Sequence, residues 1–427
     1  MTRIIVVGGG WAGTAAALSA KKAGAESVVL LERTDMLLGT GLVGGIFRNN
    51  GRFTVAEEMI AMGAGDLFHL MDKASRHSNI NFPGHKHASL YDVSLMEPMV
   101  KRYLLEQGVE IRTIARVTDL THSNGTIQSV ILEDGEKLEG DGFVEATGTA
   151  GPQGNCLKYG NGCAMCMLRC PSWGGRVSLA AKAGVQEKMG KKADGSFGAM
   201  SGSCKLHMDS VSKEISEALL KTGVAVVPIP KELIHMDKLS KKACQQYALP
   251  EFAENLVLLD TGHVKLMTPF YPLDELRRIP GMENARFEDP YSGGRGNSIR
   301  YLALSPRDDA LKVEGLNNLY CGGEKAGLLV GHTEAIITGT LAGHNIVRQL
   351  RGKTPVIFPV SLAVGDAIRF VREQMQTEEG MTKKYTFSGS VYFDRMVNLG
   401  LYTTDVNAVC ARVEKAGFTD YFSREVI

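Results

Sequence analysis

Residues 3–13 read RIIVVGGGWAG, and this stretch decides the fold. Its β-branched start predicts a buried strand, and the residues that follow it predict a helix over 14–22. Gly8 permits the tight turn between the two, Gly10 lets a pyrophosphate approach the backbone, and Gly13 lets the helix pack on the strand. The helix N-terminus supplies unbonded N–H groups and a positive dipole end. The pattern therefore predicts a dinucleotide-binding site.

A second apolar run, residues 27–31, ends at an acidic residue. Glu32 follows Gly8 by 24 positions (32 − 8 = 24), close to the spacing at which a carboxylate meets the ribose hydroxyls of an adenosine. A carboxylate there would repel a 2′-phosphate. We place Glu32 and the adjacent Arg33 in the cofactor-binding set, and these residues leave the choice between FAD and NAD open.

The next part of the chain predicts a helix and a β-meander. Ser94 and Glu97 have the spacing of a capping box, which predicts a helix over 98–107. Three short strands separated by two turns predict a meander across 116–139. The chain then returns through one more strand into Ala146-Thr147-Gly148.

The C-terminal part repeats the order of strand, glycines and helix. Residues 318–321 predict a strand that runs into Gly322-Gly323-Glu324, and Gly331-His332 opens a helix that extends to about residue 347. Both ends of the chain are therefore expected to close on one ligand. The predicted fold class is α/β: a Rossmann-like, doubly wound parallel sheet with a β-meander, closed by the C-terminal part of the chain and carrying an inserted α+β substrate domain.

These motifs together resemble a known group of flavoproteins. The glycine turn with Glu32, the Ala146-Thr147-Gly148 element and residues 320–324 resemble the two-dinucleotide-binding-domain flavoproteins of the glutathione-reductase type. Within that group, residues 319–347 and 359–367 are similar to the GidA and TrmFO proteins, which are FAD-dependent enzymes of RNA uridine modification. The resemblance covers the N-terminal and C-terminal parts of the chain.

The resemblance implies a Rossmann-like FAD-binding domain and assigns residues to the cofactor. The glycine turn and Glu32 would hold the adenosine and pyrophosphate, and Glu324 would contact the ribityl chain. The helix N-terminus after Gly331 would face the pyrimidine edge of the isoalloxazine, where its dipole stabilises an anionic reduced flavin. The glycine-rich loop 39–45 is suited to lie against the flavin or its phosphates. The cofactor-binding set is Gly8, Gly10, Trp11, Ala12, Gly13, Glu32, Arg33, Gly44, Ala146, Thr147, Gly148, Gly323 and Glu324.

The net charge of the chain indicates which class of partner it binds. The chain has 48 Lys and Arg against 47 Asp and Glu, a net charge of +1, which argues against a polybasic nucleic-acid binder. Loop 39–45 also lacks the serine- and cysteine-containing stretch expected of the folate-dependent tRNA methyltransferase. A small-molecule substrate or a redox partner protein is therefore favoured over RNA, and the sequence leaves the oligomeric state open.

Four cysteines form a second signal. Cys156, Cys163, Cys166 and Cys170 follow the spacing C-x6-C-x2-C-x3-C-P. Iron–sulfur proteins use CxxC and CxxxCP spacings of this kind, although Cys156 is farther away than in the ferredoxin run and Cys204 is an alternative fourth ligand.

The cysteine spacing admits other readings. Zinc also accepts four thiolates, and Cys163 and Cys166 have the spacing of a dithiol that exchanges electrons with a flavin. Cysteines also pack as small apolar groups. The catalytic candidates are Cys163 and Cys166 together with His332, which lies at a predicted helix start beside the flavin and there bonds a carbonyl or donates a proton, or caps the helix.

Two histidines, His85 and His87, lie two positions apart. On an extended segment they would share one face and could meet a substrate or a metal. Exposure in a loop is the commoner arrangement for such histidines, and we expect it here.

Length and hydropathy predict the domain division and the compartment. The 427 residues are predicted to form a first FAD-binding part (1–150), an inserted cysteine-containing substrate domain (151–299), a second FAD-binding part (300–353) and a C-terminal helical region (354–427). The absence of a long apolar window and the crowded cysteines predict a soluble, cytoplasmic protein that does not enter a membrane.

The sequence leaves three functions open. The preferred one is an FAD-dependent oxidoreductase that passes electrons between a donor and an unidentified substrate through an iron–sulfur cluster or redox-active cysteines. FAD- and folate-dependent methylation of RNA uridine, as in the GidA and TrmFO group, is the first alternative. A flavin-stabilised binding protein without turnover is the second.

Overall fold

A computed structural model describes residues 2–148, 173–192, 195–197, 199–201, 204–241, 245–267, 271–288, 298–300 and 302–426. The strands in chain order are β1 Arg3–Val7, β2 Ser27–Leu31, β3 Ile46–Phe47, β4 Ser75–Phe82, β5 His85–Tyr91, β6 Glu110–Arg112, β7 Val117–Ser123, β8 Thr126–Leu132, β9 Lys137–Glu139, β10 Gly142–Glu145, β11 Lys188–Met189, β12 Ala199–Ser201, β13 Cys204–Leu206, β14 Val224–Pro228, β15 Asn255–Asp260, β16 Val264–Leu266, β17 Ser298–Arg300, β18 Ala303–Leu304 and β19 Leu319–Cys321.

The α-helices connect and cover these strands. In chain order they are α1 Trp11–Lys22, α2 Gly51–Ala61, α3 Asp66–Lys73, α4 Val93–Glu106, α5 Leu179–Lys182, α6 Lys213–Thr222, α7 Glu251–Glu254, α8 Leu273–Leu276, α9 His332–Leu350, α10 Ala363–Gln374, α11 Ser390–Asn398 and α12 Val406–Lys415. Short 3₁₀ turns follow β2 at Gly39–Val43 and β19 at Gly323–Ala326.

A five-stranded parallel sheet forms the centre of the molecule. Its strand order is β19-β10-β1-β2-β6, and every neighbouring pair is parallel. The inner strands are apolar and buried, as is usual for a parallel sheet covered on both faces. The predicted α/β fold with a parallel sheet is confirmed, and the C-terminal strand β19 does complete the sheet that β1 begins.

Helices α1 and α9 pack against each other through small residues. A Cβ added to Gly339 would lie 2.1 Å from the carbonyl oxygen of Ala12, and one added to Gly343 would lie 2.1 Å from that of Ala16. Both helices begin at the carboxyl edge of the parallel sheet, because α1 follows β1 and α9 follows β19. Their N-termini are therefore presented on the same side of the molecule.

The predicted meander is confirmed as the antiparallel sheet β7-β8-β9. The predicted capping box before α4 is wrong. The helix begins five residues before Pro98, because the carboxylate of Asp92 accepts the N–H of Ser94 and caps it. Glu97 instead accepts the N–H of Leu37, 3.2 Å away.

A second layer is built from two antiparallel sheets. Strands β3-β5-β4 form one sheet, and β13-β16-β15-β14 form the other. The apolar side chains of Ile46, Phe82 and Leu90 from the first sheet pack with Val257 and Leu259 of the second. Residues that lie between β2 and β6 therefore share a core with residues more than 150 positions later (257 − 90 = 167).

Candidate functional site

The glycine turn after β1 has the geometry that its sequence predicts. Gly8 has a φ of +103°, and a Cβ there would lie 2.4 Å from the carbonyl oxygen of Ala146. A Cβ on Gly13 would lie 1.7 Å from the carbonyl oxygen of Gly8, so only glycine lets the helix pack this close. At Gly10, by contrast, no atom of the described residues lies within 4 Å of the added Cβ. The space over Gly10, at the N-terminus of α1, is open to a ligand.

Glu32 lies beside this turn. Its Oε2 accepts the N–H of Gly9 at 2.8 Å, and its Oε1 accepts the N–H and the hydroxyl of Thr34 at 2.9 and 3.0 Å. The carboxylate is buried and held in place by these three donors. The neighbouring Arg33 donates from Nη1 to the carbonyl of Gly174. A carboxylate fixed at the end of β2 is placed to meet the hydroxyls of a ribose bound over the turn.

The Ala146-Thr147-Gly148 element lies on the other side of the glycine turn. Ala146 donates its N–H to the carbonyl of Val7 at 2.8 Å. The hydroxyl of Thr147 donates to Oε1 of Glu145 at 3.0 Å, and Gly148 has a φ of +77°. This element therefore lies next to the glycine turn at the carboxyl edge of the parallel sheet.

The acidic segment after β19 meets the first turn of α1. Gly323 has a φ of +65°, donates its N–H to the hydroxyl of Thr338 at 2.8 Å, and would bring a Cβ within 2.9 Å of that of Ala12. The next residue, Glu324, is half-buried at the same edge. The structure thus brings the two ends of the chain to one place, as the sequence predicts.

Lys325 is a buried cation that sequence reasoning missed. Its ammonium lies 3.5 Å from Oε1 of Glu145, contacts the carboxylate of Glu187, and donates to the hydroxyl of Ser178 at 3.2 Å. Burial lowers the pKa of Lys325, but the two carboxylates more than offset this effect, so the pKa is raised overall. The lysine fastens the segment of Glu324 to the end of β10.

His332 lies at the first position of α9, in contact with the glycine-rich loop. A Cβ added to Gly44 would lie 1.7 Å from Cε1 of His332. The phenol oxygen of Tyr91 is 3.3 Å from Nδ1 of His332, and the ring of Trp11 has its centroid 6.1 Å from that of the imidazole. Loop 39–45, the start of α1 and the start of α9 therefore meet around His332. The sequence predicts His332, Trp11 and Gly44 as site residues but gives no signal for Tyr91.

A buried ion pair links the first turn of α9 to α2. Nε of Arg52 lies 3.1 Å from both carboxylate oxygens of Glu334. Oε1 of Glu334 also accepts the hydroxyl of Thr386 at 2.6 Å and the N–H of Phe387 at 3.0 Å. The two charges neutralise each other and fix the first turn of α9 against α2.

The predicted metal and redox ligands Cys156, Cys163, Cys166 and Cys170 lie outside the described residues. The described part of the chain contains no group of three or more His, Cys, Asp or Glu side chains that could hold a metal ion. Cys204, the alternative fourth ligand, is buried in β13. Cys321 is buried in β19, where burial raises the pKa of its thiol to about 12, so it is a packing residue.

The expectation of two exposed histidines is wrong for His85. Only 2% of its surface is exposed. Its Nδ1 lies 3.0 Å from Nδ2 of Asn49, its Nε2 lies 3.1 Å from the carbonyl of Gln246, and its ring stacks on Phe82. His87 is half-buried with a φ of +60°, so the two rings do not share a face. The second layer covers β5, which one short segment of sequence does not reveal.

The chain is similar to a known protein family over most of its length. A family model described as glucose inhibited division protein A matches residues 3–256 and 263–354. The structure of GidA from Aquifex aeolicus in its form II crystal is similar with a TM-score of 0.72 and 16% identity, covering 98% of this chain and 73% of that one. The form I crystal gives a TM-score of 0.63 and 15% identity, covering 97% and 78%. At these identities the structural likeness shows a shared fold.

No helix in the described part of the chain combines the length and the apolarity that crossing a bilayer requires.

The open space over Gly10 generates a first prediction. We expect Gly10→Val to fold normally but to bind less FAD, because its side chain fills space that no described residue occupies. Gly13→Ala is the matched control, since its methyl group strikes the Gly8 carbonyl and should lower the melting temperature. Flavin released on denaturation and thermal unfolding of the flavin-free protein measure the two effects. Full FAD content in Gly10→Val would show that the dinucleotide lies elsewhere.

The burial of His85 predicts a pH dependence of stability. Burial lowers the pKa of His85 to about 3, whereas an unfolded histidine titrates near 6.5. The unfolded chain therefore binds a proton that the folded chain does not, so stability falls as the pH falls from about 6.5 toward about 3, by up to about 1.4 kcal/mol per pH unit.

The test compares His85→Gln with the wild type by chemical denaturation between pH 7 and pH 4.5. In this pH range we expect the unfolding free energy of the variant to fall less steeply with falling pH than that of the wild type. The two slopes should differ by the contribution of about one proton. His87→Gln, two residues along and half-buried, should retain the wild-type slope. An unchanged slope in His85→Gln contradicts the prediction.

Proposed function

This chain belongs to the glucose inhibited division protein A family, and from that premise we propose that it uses FAD to modify uridine in RNA. The family assignment makes it a flavoprotein and a flavin-dependent enzyme. The observation that carries the proposal is the extent of the match, which includes the strands of the parallel sheet and most of the second layer. RNA, which the sequence alone ranked second, therefore becomes the preferred substrate class.

The residues at the carboxyl edge fit a long dinucleotide. We propose that the N–H groups at the start of α1, over Gly10, bind the pyrophosphate, while Glu32 binds the ribose of the adenosine. Glu324 would contact the ribityl chain, and the N-terminus of α9 would lie at the pyrimidine edge of the flavin ring. FAD, when bound, supplies the transfer of electrons in pairs.

His332 is the titratable side chain at the first position of α9. In the proposed reaction it exchanges a proton with the substrate beside the flavin. The ring is held by Gly44 of the glycine-rich loop and by Tyr91, so its position does not depend on the substrate. The ring of Trp11 lies beside the imidazole, with centroids 6.1 Å apart.

A folate-dependent methylation is the more specific alternative for the proposed modification of uridine. It is supported by the similarity of residues 319–347 and 359–367 to the GidA and TrmFO group. Loop 39–45 departs from the pattern expected of the methyltransferase, since it contains neither serine nor cysteine. The modification assay is therefore run both with and without a folate carbon donor.

A purification and a modification assay test the proposal. We expect yellow protein that releases FAD on denaturation and binds tRNA transcripts in a salt-dependent manner, because phosphate contacts release counterions. With a reduced nicotinamide cofactor, mass spectrometry should detect a modified uridine, measured with and without methylenetetrahydrofolate. Gly10→Val is the matched control for flavin dependence. Protein that retains FAD but neither binds nor modifies tRNA at low salt would refute RNA as the substrate.

A second candidate function is an FAD-dependent oxidoreductase that passes electrons through the cysteine cluster to a small molecule or a partner protein. The spacing of Cys156, Cys163, Cys166 and Cys170 favours it. An iron–sulfur cluster would exchange single electrons with a flavin, and a Cys163–Cys166 dithiol would exchange pairs.

Anaerobic purification tests this second candidate. We expect iron and acid-labile sulfide in proportion to protein if the four cysteines hold a cluster, and their loss in Cys163→Ser and Cys166→Ser. Cys410→Ser, an exposed cysteine of α12, is the control and should change neither. Protein with FAD but without iron, sulfide or zinc contradicts the metal, and unchanged electron transfer in both variants contradicts the dithiol.

A further inference from the structure

A chain of buried hydrogen bonds runs from the second layer to the first turn of α9. Nε2 of His85 lies 3.1 Å from the carbonyl oxygen of Gln246, in the 3₁₀ turn between β14 and β15. Nδ1 of His85 lies 3.0 Å from Nδ2 of Asn49. Oδ1 of Asn49 is 3.3 Å from Nη1 of Arg52, whose Nε contacts Glu334 in the first turn of α9. Each of these five residues is at least nine-tenths buried.

The two ends of this chain fix the direction of every hydrogen bond in it. The guanidinium of Arg52 can only donate, so the amide oxygen of Asn49 faces it and the amide nitrogen faces His85. The carbonyl of Gln246 can only accept, so Nε2 of His85 carries a proton. Nδ1 of the neutral ring then holds the lone pair that accepts the N–H of Asn49. Both ends therefore select the same histidine tautomer.

Burial keeps the imidazole of His85 neutral. It lowers the pKa of His85 to about 3, and the positive charge of Arg52 acts in the same direction, while the hydrogen bond to Gln246 opposes both. A neutral imidazole has one donor and one acceptor, as this chain requires. A proton on Nδ1 would face the N–H of Asn49, so protonation of the ring would break the chain.

The backbone beside Asn49 is fixed independently of the histidine. Asn50 has a φ of +54°, which residues other than glycine rarely adopt. Its side-chain amide donates to the carbonyls of Gly84 and Ser388, at 2.9 and 2.8 Å, and accepts the N–H of Lys86 at 2.9 Å. Such a conformation persists only where its surroundings determine it, and it is common at functional sites. Asn50 therefore holds the start of α2 against β5.

The 3₁₀ turn that contains Gln246 also packs against a second segment that reaches α9. A Cβ added to Gly389 would lie 2.6 Å from Cβ of Gln246, so a side chain there would push the two segments apart. In the same segment, the hydroxyl of Thr386 donates to Oε1 of Glu334 at 2.6 Å. Gln246 is therefore connected to the first turn of α9 by two routes, one through His85 and one through Gly389.

We propose that His85 is a positioning residue that holds the inserted part of the chain, through Gln246, in a fixed position relative to the flavin-facing end of α9. Gln246 lies within the substrate domain that we propose for residues 151–299. A substrate bound by that domain would meet the flavin at a defined distance, because the linkage consists of directed hydrogen bonds between buried groups. The substrate and the flavin rest on the proposed function, whereas the linkage and its direction rest on the contacts alone.

The imidazole ¹⁵N chemical shifts of His85 test the direction of the chain. The holoprotein is labelled with ¹⁵N only at its 10 histidines, and the spectrum of His85→Gln identifies the signals of this residue. We expect an unprotonated Nδ1 and a protonated Nε2 at every pH from 8 to 5, since the pKa is about 3. A proton on Nδ1, or a titration near pH 6.5 as in an unfolded chain, would overturn the proposal.

Asn49→Asp reverses one hydrogen bond of the chain. A carboxylate accepts from Arg52 but cannot donate to His85, so Nδ1 must carry a proton, while Nε2 still donates to Gln246. We expect both ring nitrogens to be protonated at pH 6 in this variant, because a neighbouring carboxylate favours the imidazolium. An unprotonated Nδ1 in folded Asn49→Asp would contradict the role of Asn49 as the donor.

Backbone hydrogen exchange, followed by mass spectrometry, tests the linkage itself. His85→Leu leaves the N–H of Asn49 and the carbonyl of Gln246 buried without a partner. We expect exchange at residues 245–247 and in the first turn of α9 to become about tenfold faster, since these segments then open more easily. His85→Gln should keep the wild-type rates, because a glutamine amide also offers one acceptor and one donor.

His344→Leu is the matched control. His344 is also a buried histidine, with 2% of its surface exposed, and its ring nitrogens have no hydrogen-bond partner among the described residues. The control should leave exchange at residues 245–247 and in the first turn of α9 unchanged. Faster exchange of these segments in both leucine variants would indicate a general loss of stability and overturn the proposal. Unchanged rates in a folded His85→Leu would overturn it as well.

The wild-type spectrum decides the direction of the chain even if the variants do not fold. Neither measurement contains RNA or an electron donor. A failed modification assay, with the expected tautomer and exchange rates, would therefore refute the proposed function and leave the role of His85 intact. A working assay with a proton on Nδ1 of His85 would do the reverse.

Discussion

The close contact of α1 with α9 is the constraint on which the site depends. Gly339 and Gly343 lie against the backbone of Ala12 and Ala16, where any side chain would separate the helices. Since both helices begin at the carboxyl edge of the same parallel sheet, this contact holds two positive helix ends at that edge. Residues more than 300 positions apart (339 − 12 = 327) therefore lie in direct contact.

Two buried ion pairs fix the segments that follow this contact. Lys325 joins the segment of Glu324 to Glu145 at the end of β10, and Arg52 joins the first turn of α9 to α2. Burying a charge costs free energy that a partner only offsets when the geometry is good. Each pair therefore penalises any arrangement in which its segment has shifted, which keeps the edge of the sheet in one conformation. This constraint fixes the positions of His332 and Glu324, which we propose lie beside the flavin ring.

The sequence could predict those parts of the site that depend on local chemistry. The glycine turn, Glu32 and the strands on either side follow from backbone conformation and apolar runs, and they are found where expected. The predicted start of α4 was wrong because Asp92 caps the helix. Glu97 instead accepts a hydrogen bond from Leu37, sixty residues away. Tyr91 was missed for the same reason, since its partner His332 is 241 residues away and no spacing rule connects them.

The second layer also contacts the glycine-rich loop. Lys205 of β13 and Lys265 of β16 are paired in register, and their ammonium groups donate to the carbonyls of Leu42 and Val43 in that loop. The division at residues 150, 299 and 353 remains our proposal, and Ile46, Phe82 and Leu90, which precede the first boundary, share a core with Val257 and Leu259 of the inserted unit. Because one sheet of the second layer carries both lysines, it holds the backbone of the glycine-rich loop, which also contacts Tyr91 and His332.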